Sequence, residues 1–172
     1  MNLHQPHVRQ RAARGFTIIE LLIVIVIVSI LAALAIPSYR QYVMRTHRTV
    51  AKVALQDLLT RQESYAVDHK SYATDFDRLG VAGSGAVSVA YVTSDGVISR
   101  NVSNALYSFA LKKNTGSAVN SCAFDASPTA LGFSLTATPV GNNADTQCGS
   151  LCITSNGDRG ANPGVVADCW RR

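Results

Sequence analysis

The chain has 172 residues, of which 47% are hydrophobic, 7% aromatic and 16% charged. That length holds one globular domain of ordinary size, and the apolar content is too high for a disordered chain. The net charge of +5 is weak ground for nucleic-acid binding. Three of the 16 Lys and Arg residues (Arg9, Arg11 and Arg14) sit in the first 15 positions, which contain none of the 11 Asp and Glu. The remainder is close to neutral.

Residues 1–15 read as a leader, basic and without an apolar centre of its own. An ordinary secretory signal has a short hydrophobic core ahead of its cleavage site; here the hydrophobic run comes after the leader. From Phe16 to Ile36 the only carboxylate is Glu20, and the only hydroxyls are Thr17 and Ser29. This run reaches the roughly 20 residues that cross a bilayer as a helix. Its Val and Ile content would suit a strand in water. In lipid, however, only a helix or a closed barrel satisfies the backbone, so the segment 16–37 is expected to be helical. The basic leader places the N-terminus in the cytoplasm and the rest of the chain outside.

Pro37 lacks an N–H and is expected to kink the helix there. Beyond it, over residues 38–66, Tyr39, Val43, Val50, Ala54, Leu58 and Tyr65 recur at helical spacing and form one apolar stripe. Arg40, Arg45 and Arg48 fall between these positions and read as a solvated face near the headgroups. The whole helix would run to about 50 residues, or about 75 Å. Residues 67–105 read as an irregular connection, punctuated by Gly80, Gly83, Gly85 and Gly96. Asp68–Leu79 has room for a short helical turn, and Val87–Val92 for a short strand. Residues 106–172 read as an antiparallel sheet. Its strand candidates are Leu106–Lys113, Gly132–Thr138 and Leu151–Ser155, and Asn156-Gly157 is a turn signal. The amphipathic half of the helix is the natural cover for the apolar face of that sheet, which makes the fold class α+β.

Cys122, Cys148, Cys152 and Cys169 are the four cysteines. An even number in a chain with an export-type N-terminus points to two disulfides, with three pairings open. A metal site is a poor reading. His4, His7, His47 and His69 all lie far upstream, and Cys148-x3-Cys152 is not the paired pattern of a zinc site. Nor is there a G-x-S-x-G, H-E-x-x-H or Walker-type motif, and Asp68 beside His69 is no catalytic constellation. The chain reads as non-enzymatic and without a cofactor. Trp170-Arg171-Arg172 reads as an exposed tail, and nucleic acid as an unlikely partner.

Arg14-Gly15-Phe16-Thr17-Ile18-Ile19-Glu20, with the apolar run and Pro37 behind it, resembles the class III signal of type IV pilins and of type II secretion pseudopilins. Tyr39-Arg-Gln-Tyr-Val43, Gln62-Glu63-Ser-Tyr65 and Ser71-Tyr72-Ala73 resemble the pilin helix and its exit. Gly132-Phe-Ser-Leu-Thr-Ala-Thr-Pro139, Cys148-Gly149 and Val166-Ala-Asp-Cys169-Trp170 resemble PilE-type minor pilins. The resemblance implies the type IV pilin fold, a long N-terminal helix packed on a C-terminal antiparallel sheet. It implies cleavage after Gly15 by a membrane-bound prepilin peptidase and methylation of the new N-terminus, Phe16. The mature protein would wait in the inner membrane as a single-pass protein with its C-terminal domain in the periplasm. An inner-membrane assembly platform would then build it, with other major and minor pilins, into a surface filament.

Glu20 would pair with the Phe16 amine of a neighbouring subunit and set the register of the helices. The family pattern also implies one disulfide-closed C-terminal loop, Cys148–Cys169, which leaves Cys122–Cys152 as the residual pair. The implied function is that of a minor pilin, priming or joining a pilus for its biogenesis, for twitching motility and for adhesion. The alternatives are a type II secretion pseudopilin, a membrane-tethered periplasmic binding module, and a minor pilin that serves DNA uptake.

Overall fold

The structure, a computed structural model, describes residues 16–112, 122, 132–141, 143 and 145–171. Helix α1 spans Ile18–His69, with Pro37 inside it. The chain divides into two compact units at Arg40/Gln41.

In the N-terminal unit, Thr17 starts the helix: its Oγ1 accepts the Glu20 N–H at 3.2 Å, the bond of an N-cap residue. Ser29 turns its hydroxyl back to the Ile25 carbonyl at 2.7 Å, so this polar group is satisfied within the helix. The aliphatic side chains from Ile18 to Ile36 are exposed all round, Ile23, Ile25 and Ile27 each by more than half. This is the one helix among the described residues that is long and apolar enough to cross a membrane, with a mean hydropathy of 3.1 over its most apolar window.

The second unit holds the rest of α1, six strands and a short second helix. The strands are β1 (Val89–Thr93), β2 (Ile98–Ser99), β3 (Ala105–Lys112), β4 (Ser134–Pro139), β5 (Gly149–Thr154) and β6 (Arg159–Pro163), followed by α2 (Val166–Trp170). They form one antiparallel sheet in the order β2-β1-β3-β4-β5-β6. The sheet therefore begins inside the segment read as an irregular connection, which holds β1 and β2, and it ends with a strand the sequence reading does not contain. No helix forms over Asp68–Leu79 beyond the end of α1; the chain makes a turn there, with the Gly80 N–H on the Asp77 carbonyl.

Register explains the core. Rows of facing residues, Ala90–Phe109–Ala137–Leu151 and Leu111–Leu135–Ile153, run across the strands and point their side chains to one buried face. Ala51, Ala54, Leu55 and Leu58 of α1 belong to the same hydrophobic cluster. Their spacing of three, four and seven residues keeps them on one side of the helix. The stripe read from the sequence is right at Ala54 and Leu58 but extends too far toward the N-terminus, for Tyr39 is 69% exposed.

Where α1 ends, buried Gln62 takes over the work of a strand. Its amide donates to the Ala73 carbonyl at 3.0 Å and accepts the Ala73 N–H at 2.9 Å. This pair of bonds holds the chain leaving the helix against it, with Phe76 and Val81 buried beneath.

Candidate functional site

At the N-terminal end, Phe16 and Glu20 are both exposed. Gly15 lies outside the described residues. The carboxylate of Glu20 has no ion-pair partner among the described residues. It follows an exposed Phe16 by four residues, about one helical turn.

The other candidate region is the C-terminal end of the sheet, where two disulfides and a buried ion pair converge. Two disulfides are formed, Cys148–Cys169 and Cys122–Cys152, each with a Cα–Cα distance of 5.6 Å. The first fastens α2 to the entry of β5. Gly164 lies against it: a Cβ there would sit 2.5 Å from the Cys169 sulfur and 2.6 Å from the Gln147 carbonyl oxygen, so the close approach of the two segments requires glycine. Gly149, at φ +55°, is held by the same logic, with the Asn162 carbonyl oxygen 2.0 Å from where its Cβ would be.

The third bond is a buried ion pair. Arg48 of α1 donates to the Asp145 carboxylate through both Nε and one terminal nitrogen, the latter at 2.8 Å, and to Gln147 Oε1 at 3.0 Å. Asp145 also accepts the backbone N–H groups of Gln147 and Cys148 at 3.1 and 3.0 Å. Burial works against the charged carboxyl, but the guanidinium and these backbone donors outweigh it, and Asp145 is held below the usual carboxylate range. Beside it, His47 bonds buried Asn143, whose amide donates to the Leu106 carbonyl at 3.0 Å. The segment ahead of Cys148 is thus fixed to α1 by charge and to the C-terminus by sulfur.

Arg48 is therefore not part of a solvated face, as the sequence reading has it. It stands three residues before Ala51 and seven before Leu55, on the buried column of the helix. That periodicity is the one signal in the sequence that marks it. Its partner is 97 residues away and carries no signal of its own.

The C-terminus is not a free tail up to Arg171. Trp170 is half-buried: its indole N–H donates to the Gly160 carbonyl at 2.8 Å and Arg159 lies over its ring at 5.1 Å. Lys52 of α1 donates to the Arg171 carbonyl at 2.9 Å. Burial, and then the charges of Arg48 and Arg159, hold the Lys52 ammonium below the ordinary lysine value. Two adjoining clefts open here. One, of about 340 Å³, is lined by Arg45, Thr49, Lys52, Asp168 and Arg171; the other, of about 350 Å³, by Lys52, Gln56, Arg159 and Trp170. Among the described residues no group of His, Cys, Asp or Glu could hold a metal ion.

Comparison with known proteins gives these regions a family. Residues 10–36 match the prokaryotic N-terminal methylation motif. Residues 37–152, two-thirds of the chain, match the family described as type IV minor pilin ComP, DNA uptake sequence receptor. Among curated relatives, the chain is 46% identical over 65 residues to the type IV wide pilus major component PilA4 of Thermus thermophilus, covering 38% of this chain and 50% of that one. It is 41% identical over 69 residues to the type IV major pilin protein PilA of Myxococcus xanthus (40% and 31% of the two chains). It is 38% identical over 79 residues to the type IV major pilin protein PilE of Neisseria gonorrhoeae (46% and 47%). The chain thus matches half or less of the length of these relatives. The long apolar-headed helix and the six-stranded antiparallel sheet agree with the family match, which covers more than half of the chain: the chain belongs to the type IV minor pilin ComP family.

Proposed function

We infer that this pilin is a minor subunit that binds DNA for uptake. The observation that carries the reading is the match over residues 37–152 to a family described as a DNA uptake sequence receptor. It favours the last of the alternatives open in the sequence over a general role in motility or adhesion.

In this account the chain is made as a prepilin, cut after Gly15 by a prepilin peptidase and methylated on Phe16. The match of residues 10–36 to the methylation motif supports both steps. The apolar helix then anchors the subunit in the inner membrane with the sheet domain in the periplasm, until the assembly platform takes it up. A carboxylate within a lipid segment costs about 2.5–3.5 kcal/mol at the centre of the span and less near its end. Pairing Glu20 with the Phe16 amine of a neighbour offsets that cost and fixes axial register, as a single buried polar group does in a coiled coil. Pro37 has no N–H to give the Ala33 carbonyl, which supplies the helix with a point of bending.

Deletion of the gene in the native host tests the reading. DNA uptake is expected to be lost while surface filaments still form. The subunit recovered from sheared filaments should lack residues 1–15, carry one added methyl group, and gain four hydrogens on reduction. Loss of filaments on deletion would make the chain a primer of assembly instead, and unchanged uptake would remove the DNA role.

A further inference from the structure

Lys52 stands at the centre of a cluster of positive charge that forms no ion pair among the described residues. Arg48 is committed to Asp145. Elsewhere Arg61, Arg78 and Arg100 each pair with an aspartate. Arg45, Lys52, Arg159 and Arg171 have no such partner among the described residues, and the one acid lining their clefts is Asp168. Half-buried Lys52 stands among the exposed Arg45, Arg159 and Arg171, and like charges gathered in this way repel one another, a cost that an anionic ligand would relieve. Resting on the DNA reading above, we propose that this trough between α1 and the C-terminus binds the phosphate backbone of duplex DNA.

The geometry fits that ligand. Arg45 and Lys52 are seven residues apart on α1, on one face and about 10 Å apart along its axis. This is the rise of about three base steps at 3.4 Å each. Thr49 lies between them and lines both clefts, its hydroxyl donating back to the Arg45 carbonyl at 3.0 Å. Arg171 extends the charge on one side and Arg159 on the other. Trp170 is excluded as a stacking platform, since its N–H is used by Gly160 and its face is covered by Arg159. The trough therefore holds backbone and reads no bases, and it has no reason to prefer single strands. Arg45 and Lys52 lie within the matched family region, whereas Arg159 and Arg171 lie beyond its end at residue 152.

The test is the salt dependence of binding to a fluorescent duplex of arbitrary sequence, using the full chain in uncharged detergent micelles. Each phosphate contact contributes about 0.9 to the slope of log K against log salt. The variant R45Q/R159Q/R171Q is expected to lose about 2–3 from that slope and to bind more than tenfold more weakly at low salt. R45K/R171K should keep most of both. R61Q/R78Q, which removes charge elsewhere, should leave both unchanged. If the parent chain binds no duplex, the DNA reading fails and the trough with it. If the parent binds and the triple variant keeps its affinity and slope, only the trough is overturned and DNA lies elsewhere on the chain. A triple variant that binds DNA normally but no longer enters filaments overturns it too, and makes the trough a seat for a neighbouring subunit's carboxylates.

Discussion

The two parts of α1 use the same helix for opposite purposes. From Ile18 to Ile36 it is apolar on every side and buries none of those side chains. From Arg48 to Gln62 it is apolar on one side only and buries that side completely, with Ala51, Leu55, Leu58 and Gln62 at or near zero exposure. A segment apolar all round has no partner in its own chain and takes one from outside, lipid or other helices. A segment apolar on one side already has its partner in the sheet. On the function proposed above, filament formation draws on the first, and the second decides whether there is a folded domain to display. Substitutions that hit one part and spare the other test this division.

The largest effect belongs to the buried ion pair. Asp145→Ala leaves the Arg48 guanidinium buried without its counter-charge, and removing one partner of such a pair costs about 3–5 kcal/mol. Urea unfolding of the full chain in detergent, followed by the fluorescence of the single tryptophan, Trp170, measures it. The pH dependence carries the same signature. Because Asp145 is held below its ordinary value of 3.8, its contribution is complete above that range and is lost as pH falls through the lower folded value. The acid limb of the stability curve below about pH 4 should therefore flatten in Asp145→Asn. An unchanged limb would show that the pair contributes nothing to the domain.

Next comes the apolar contact itself. Leu58 is fully buried in the cluster shared by helix and sheet. Leu58→Ala removes its packing and leaves a cavity, at about 2–5 kcal/mol in the same unfolding measurement. A smaller loss, below about 1 kcal/mol, would mean that the sheet closes over the gap and that this half of the helix is held less tightly than its burial indicates.

What could be read from the sequence follows the same division. The membrane-type segment is legible because its signal is compositional and local. The central strands are legible because alternation is local too: Tyr107, Phe109 and Leu111 point inward and Ser108 and Ala110 do not. The edges were not legible. β2 is two residues long and exists through its pairing with β1. Arg159-Gly-Ala-Asn-Pro163 has no β-branched residue and contains both strand breakers, yet β5 pairs it. A strand at the sheet edge tolerates Pro, and tertiary pairing overrides propensity. The clamp at the C-terminal end is the least legible part. Arg48, Asp145 and Gln147 are ordinary surface residue types until the fold brings them together across nearly a hundred residues.

The smallest effect is the most direct test of the comparison. Leu22 is the same residue type as Leu58 and sits in the same helix, but it is 52% exposed and contacts no core. Leu22→Ala should change the stability of the sheet domain by less than about 0.5 kcal/mol, the range of substitutions that touch no packed feature. Its effect should appear only where the outside partner is present. There the loss of about three methylene equivalents from lipid or from a helix bundle, at about 0.8 kcal/mol each, weakens membrane retention and filament yield. If Leu22→Ala instead lowers the unfolding free energy of the domain as Leu58→Ala does, the two parts of α1 fold as one cooperative body. The exposed half would then be a structural element of the domain as well as its means of assembly.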